Sequence, residues 1–252
     1  MRICIFAKNF QMRKLLYIVY QPYKWLFFYP FLALNTLLFS LIAVIFSILF
    51  GHKTGSYWGG AVWSRVNAFF TPMLVKTEGK HHIDPKTSYV IVPNHQSYWD
   101  IFLLYGWLGI DIKWIMKKEL RKIPGLGYAS ATVGHIFIDR SNTRKAMESL
   151  NEARKRLTNG TSVVIFPEGT RSKSGRMLPF KRGAFKMAID LNLPILPVTI
   201  IGTNDILPAK SLNLMPGKVK MIVHQPININ NYDNNNIRER MEHVREVIES
   251  RK

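Results

Sequence analysis

Thiols are almost absent from this 252-residue chain, whose one cysteine is Cys4. A single thiol excludes a disulfide framework and any multi-cysteine zinc or iron–sulfur site, and it suits a reducing compartment. Acids are scarce too: 16 Asp and Glu against 35 Lys and Arg leave a formal net charge of +19. Such an excess calls for an anionic partner, whether nucleic acid, anionic lipid or a phosphorylated substrate. Several catalytic signatures are missing. There is no Gly-x-Ser-x-Gly nucleophile elbow, only the near miss Gly160-Thr-Ser-Val-Val164. His52, His81, His82, His95, His135, His224 and His243 show no metal-ligand spacing, so no metal is expected. No P-loop occurs, and Gly125-Leu-Gly-Tyr-Ala-Ser130 lacks the third glycine and the preceding strand of a dinucleotide fingerprint. A cysteine hydrolase is excluded because Cys4 lies in the basic N-terminus, and no internal repeat or Gly-Ser linker is present.

The deficit of acids is local. Residues 1–80 carry nine basic side chains and one acid, Glu78, whereas residues 81–252 carry 26 basic and 15 acidic ones. With 47% hydrophobic and 12% aromatic residues the chain is no disordered tail, and its length fits one α/β domain plus an appendage. Within the basic third, Phe27–Phe50 has no charge at all. At ~1.5 Å per residue this run is long enough for a ~30 Å hydrocarbon core, and no small-x-small site follows it as in a cleaved signal. Both flanks are basic and, as far as Lys76, free of acid: Arg2, Lys8, Arg13, Lys14 and Lys24 before it, Lys53, Arg65 and Lys76 after it. The positive-inside tendency holds both flanks in the cytoplasm, so a re-entrant hairpin is expected rather than a single crossing. Its second arm is Gly55–Val75, with Trp58, Trp63, Phe69 and Phe70 suited to a membrane interface.

After Glu78 the pattern changes to short apolar runs separated by helical stretches. Strands are expected at Ser88–Pro93, Ile112–Met116, His135–Asp139, Ser162–Phe166, Ile195–Ile201 and Lys218–Val223. Helices are expected at Ile101–Gly109, Thr143–Leu157 and Arg182–Leu191, with an amphipathic one carrying Ile237, Met241, Val244 and Ile248 at the end. The alternation predicts an α/β fold, a mixed sheet flanked by helices, with an N-terminal hydrophobic helical membrane hairpin. Three parts follow: residues 1–76 as the membrane-associating segment, 77–227 as the α/β domain, and 228–252 as an Asn-rich loop and C-terminal helix.

Four segments carry candidate chemistry. In Asn94-His-Gln-Ser-Tyr-Trp-Asp100, His95 and Asp100 are five apart and meet only if His95 sits on a strand-to-helix turn and Asp100 in the first helical turn. The carboxylate then takes the Nδ1 proton and frees Nε2 as a base. Phe166-Pro-Glu-Gly-Thr-Arg-Ser172 also ends an apolar strand, and its exposed amides beside Arg171 suit a phosphate or oxyanion. Asp139-Arg140 and Phe180-Lys-Arg-Gly183 add further cations. Taken singly, each is also compatible with an ordinary polar turn. Three of the four follow strands at one kind of strand end, where open α/β sheets place their ligand crevice.

Together these blocks resemble the glycerolipid acyltransferase family, best known for the 1-acylglycerol-3-phosphate acyltransferases. The hallmark His, four residues, then Asp is matched by His95 and Asp100, the second block by Gly134–Arg140, the third by residues 166–172, and the fourth by Leu193–Val198. The resemblance covers about residues 90 to 200, keeps the blocks in order, and extends to the hydrophobic N-terminal hairpin. It implies an enzyme at the cytoplasmic face of a membrane. The reaction implied moves an acyl group from an acyl thioester to 1-acylglycerol 3-phosphate, giving phosphatidic acid, with no cofactor. Acyl-CoA and acyl carrier protein stay open as donors, and glycerol 3-phosphate or another lysophospholipid as acceptor. His95 would be the general base and Asp100 its orienter. Arg140 and Arg171, with Lys181, would hold the acceptor phosphate. Glu168 would fix the turn or bond the glycerol hydroxyls, the Gly169 amide would stabilise the oxyanion, and Thr170 would belong to the same turn. Pro194 and Pro197 would shape the acyl or thioester channel. A non-catalytic, membrane-anchored binder of anionic lipid is the competing class. Nucleic acid is not an expected partner, since the cations are scattered and no nucleic-acid-binding signature appears.

Overall fold

The computed structural model describes residues 15, 17–139, 156–172, 175–228 and 236–252. The uncharged run forms helix α1, Tyr29–Phe50, entered through a π-helical turn at Tyr23–Phe28. Gly51 breaks it, and the chain returns along it through α2 (His52–Ser56), a second π-helical turn (Tyr57–Val62) and α3 (Trp63–Phe70). The two arms touch because small residues face each other. A Cβ on Gly59 would lie 2.2 Å from that of Ala43, and one on Gly55 would lie 1.9 Å from the Ser47 hydroxyl. Polar bonds join the arms as well: Asn35 Nδ2 donates to Asn67 Oδ1 at 3.2 Å, and Trp63 Nε1 to Thr36 Oγ1 at 3.2 Å. The outer face keeps Leu34, Leu38, Leu41, Ile48 and Trp58 exposed.

The α/β domain comprises β1 (Met73–Glu78), β2 (Val90–Pro93), α4 (Trp99–Trp107), β3 (Ile112–Lys117), α5 (Leu126–Thr132), β4 (Ile136–Ile138), β5 (Ser162–Val164), α6 (Gly183–Leu191), β6 (Ile195–Ile201), α7 (Thr203–Ile206), β7 (Gly217–Val223) and α8 (Ile237–Glu249). The strands form one sheet in the order β1-β7-β6-β2-β5-β3-β4. It is mixed as expected, since only β6 and β7 pair antiparallel and every other neighbour is parallel. β-Branched residues suit these short strands, which are covered on both faces. Along β2, Ile91 packs toward the hairpin with Leu103, Leu104 and Phe28, while Val90 and Val92 pack toward α6 and α8 with Phe185, Val244 and Ile248. The hairpin is therefore part of one core.

Two expectations change. The boundary between residues 76 and 77 falls inside β1, an edge strand paired with β7, whose first residues look in sequence like the end of the apolar arm. The C-terminal helix is not merely a solvated appendage, because Ile237, Val244 and Ile248 are buried under the sheet. The helix expected at Thr143–Leu157 lies almost wholly outside the described residues, as does most of the Asn-rich loop.

Candidate active site

His95 comes two residues after β2, and Asp100 is the second residue of α4, so the strand-to-helix turn brings them together. Nδ1 of His95 stands 2.7 Å from Oδ2 of Asp100. The same oxygen accepts the amides of Gln96 at 2.7 Å and Ser97 at 3.0 Å. An oxygen already accepting two N–H groups is an acceptor for the third, so Nδ1 carries the proton and Nε2 keeps its lone pair. Asp100 is fully buried in the first turn of α4, where the helix dipole favours its charge. The Phe166 ring stacks on the imidazole with centroids 3.7 Å apart, and Trp114 continues the stack at 6.2 Å. The ring is thus held at one edge and one face. Asn94 fixes the turn beneath it by pairing with both backbone groups of Ile200, at 2.7 and 3.0 Å.

The second motif closes over the first. Glu168 is 2% exposed; Oε1 accepts the His95 amide at 2.7 Å and Oε2 the Leu178 amide at 2.8 Å. The Ser172 amide donates to the His95 carbonyl at 3.0 Å, so both backbone polar groups of residue 95 are gripped by the 166–172 turn. Burial raises the Glu168 pKa, and its two amide donors oppose that rise. With both oxygens engaged by backbone amides, Glu168 fixes the turn, one of the two roles expected of it. The expected oxyanion role of the Gly169 amide is corrected, because it donates to the Phe166 carbonyl at 3.1 Å and is not free for an oxyanion. Gly169 serves the turn through its φ of +70° and through close approach, since the Lys181 ammonium would lie 3.0 Å from a Cβ there. The amides of Thr170 and Arg171 have no hydrogen-bond partner among the described residues.

Arg171 lies beside this turn with its guanidinium carbon 3.5 Å from the centroid of the Tyr98 ring. Lys181 is exposed and approaches the same turn at Gly169, and Arg140 falls outside the described residues. Sequence reasoning missed Lys117, Tyr98 and Phe166. Lys117 ends β3 at the same sheet edge, one residue beyond the expected strand end. All three line a cavity of about 570 Å³ that opens at His95 and Arg171. It runs between sheet and hairpin, past Ala43 and Gly60, to Tyr105 and His135. Walls of this kind, apolar with a few polar groups at one end, suit a long aliphatic ligand.

His135 closes the deep wall. Its Nδ1 accepts the Trp114 amide at 3.4 Å, and Nε2 faces the Tyr105 hydroxyl at 3.4 Å. Burial, assisted by the charge of Lys113, lowers its pKa to about 3. An unfolded histidine titrates near 6.5, so between those values the unfolded chain takes up a proton that the folded chain refuses. Stability therefore falls as pH drops through that window. The loss reaches about 2 kcal/mol at pH 5 for this one group. Denaturant unfolding at pH 7 and pH 5 checks this: wild type should lose about 2 kcal/mol more than His135→Gln. Equal losses would show that His135 is not the titrating group.

Known proteins resemble this chain in sequence and in fold. The acyltransferase family model matches residues 74–201, half of the chain. A chloroplastic 1-acyl-sn-glycerol-3-phosphate acyltransferase of Brassica napus is 40% identical over 142 residues, covering 56% of this chain and 41% of its own. A 1-acyl-sn-glycerol-3-phosphate acyltransferase of Cocos nucifera is 34% identical over 201 residues, covering 79% and 60%. The chain spans about half the length of the curated relatives it matches. The crystal structure of the 1-acyl-sn-glycerophosphate acyltransferase PlsC from Thermotoga maritima superposes with a TM-score of 0.75 at 28% identity, covering 94% of each chain. By the extent of the family match, this chain belongs to the acyltransferase family.

Proposed function

We propose that the chain acylates the free hydroxyl of 1-acylglycerol 3-phosphate from an acyl thioester, giving phosphatidic acid. The observation that carries this is the His95–Asp100 pair at the mouth of an apolar cavity, with an Arg171 guanidinium unpaired among the described residues beside it. Nε2 of His95 takes the hydroxyl proton while the oxygen attacks the thioester carbonyl. Asp100 stabilises the imidazolium that forms. The tetrahedral oxyanion is met by the Thr170 and Arg171 amides. Collapse breaks the carbon–sulfur bond, and the proton on Nε2 passes to the departing thiolate. Among the described residues no serine hydroxyl or thiol is hydrogen-bonded to His95, which favours direct attack over a covalent acyl-enzyme. Arg171, with Lys117 and Lys181, holds the acceptor phosphate, and the cavity takes an acyl chain.

The hairpin lies in one leaflet on the cytoplasmic side. Its first helix runs over Tyr17–Phe50, about 50 Å at 1.5 Å per residue, against a hydrocarbon core of about 30 Å. The strongest support is that both ends of this helix bond the same domain. Tyr17 reaches Asn213 at 3.2 Å and Lys24 the Leu212 carbonyl at 3.1 Å, while beyond Gly51 the His52 ring reaches the Thr132 carbonyl at 2.6 Å. A full crossing would pull one end away.

Thiol release from acyl-CoA and from acyl carrier protein thioesters, with a panel of acceptors and the purified protein in vesicles, tests the reaction. Release should depend on 1-acylglycerol 3-phosphate and yield phosphatidic acid. Acceptor-independent release would indicate a thioesterase, no release a binder, and preference for glycerol 3-phosphate a different acceptor. Arg171→Lys keeps the charge but loses the planar fork. It should raise the acceptor KM about tenfold, with kcat changed less than about twofold.

A further inference from the structure

Arg171 is held in an unusual way for a phosphate-binding arginine. No carboxylate pairs with it, and no hydrogen bond to its guanidinium exists among the described residues, although the side chain is half-buried. The nearest acid of its own turn, Glu168, has both oxygens engaged by the amides of His95 and Leu178. What orders the guanidinium is the ring of Tyr98, 3.5 Å below its central carbon. Tyr98 is the N-cap residue of α4, one position before Trp99 and two before Asp100, so its backbone is placed by the same turn. Tyr98 is 55% exposed, and its hydroxyl has no hydrogen-bond partner among the described residues, so it contributes a face and not a polar group.

A carboxylate partner would order an arginine by occupying its N–H edge and neutralising its charge. An aromatic platform orders it from the face, leaving the edge donors and the full positive charge available. We propose that Tyr98 is a positioning residue for Arg171. It presents the guanidinium edge to the phosphate of the acceptor at the mouth of the cavity. The inference rests on the assignment of Arg171 to that phosphate. It also links the two motifs, since the residue that orients the phosphate ligand stands on the same turn as the base and its aspartate. Distance between base and phosphate is thereby set by one short segment.

Acceptor kinetics of Tyr98→Leu, Tyr98→Phe, Arg171→Ala and the double variant Tyr98→Leu/Arg171→Ala test this, using the full chain in vesicles. Tyr98→Leu should raise the acceptor KM about fivefold, with the acyl-donor KM unchanged. Tyr98→Phe, which keeps the face, should stay within about twofold of wild type. In the Arg171→Ala background, Tyr98→Leu should have no further effect on KM. Since Tyr98 is exposed, folding should persist, and thermal unfolding of each variant confirms it. If Arg171→Ala raises the acceptor KM but Tyr98→Leu does not, the platform role is wrong while the phosphate assignment stands. A Tyr98→Phe defect as large as that of Tyr98→Leu, or an undiminished Tyr98→Leu effect without Arg171, also overturns the platform role. An unchanged KM in Arg171→Ala overturns the phosphate assignment and the inference with it.

Discussion

His95→Ala lowers the rate of phosphatidic acid formation by about 10²–10⁴-fold, the usual contribution of a positioned general base. The fold survives this change for a specific reason. Asp100 is fully buried and loses one of three donors, but the amides of Gln96 and Ser97 remain on the same oxygen. The charge is therefore still solvated by backbone at a helix N-terminus. Asp100→Asn separates orientation from charge. One amide oxygen still accepts the two backbone N–H groups and the Nδ1 proton, so the ring stays in place. The imidazolium formed during attack loses its counter-charge, and turnover falls by at least about tenfold while binding of both substrates is retained. Initial rates with saturating acceptor, beside thermal unfolding of each variant, check both. A His95→Ala enzyme within tenfold of wild type would rule out His95 as the base.

The dyad is local: the sequence marks His95 and Asp100 as a pair that can meet on a turn between an apolar strand and an apolar helix, and the fold supplies that turn, with Nδ1 2.7 Å from Oδ2. Strands β2, β5 and β6 are legible for a similar reason, since β-branched runs bounded by Pro, Gly or Asn fit few alternatives. β1 is not legible, because Met73–Val75 continues an apolar arm and Lys76–Glu78 looks like surface. Its strand character comes from pairing with β7, about 140 residues later, and pairing at that range leaves no local pattern. The site follows the same division. Residue types at 166–172 signal a cradle, but which amide is free depends on the turn that forms. Gly169 bonds Phe166, which moves the open donors to Thr170 and Arg171. Tyr98 under Arg171 and Glu168 on His95 are contacts across 73 residues of sequence in each case.

Glu168 carries the second large effect because it joins the two halves of the site. Glu168→Ala leaves the amides of His95 and Leu178 without their acceptor, at about 1–3 kcal/mol each, so a loss of about 2–6 kcal/mol is expected. Glu168→Gln keeps one acceptor but turns an NH₂ group toward the other amide, and it should lose roughly half as much. Activity should fall further than stability alone requires. The carbonyl of His95 would still be held by Ser172, but its amide would be released, and the ring would no longer stand in fixed register with Arg171. A shift of about 1 Å in such a site costs on the order of 10²-fold in rate. The pattern of the loss distinguishes a clamp from a substrate contact. A glycerol-binding carboxylate would show a raised acceptor KM with an unchanged melting temperature. A clamp lowers both the melting temperature and kcat, in Ala more than in Gln, while the acceptor KM moves little. Observing the first pattern would mean that the backbone bonds at 2.7 and 2.8 Å are exchanged for substrate during turnover.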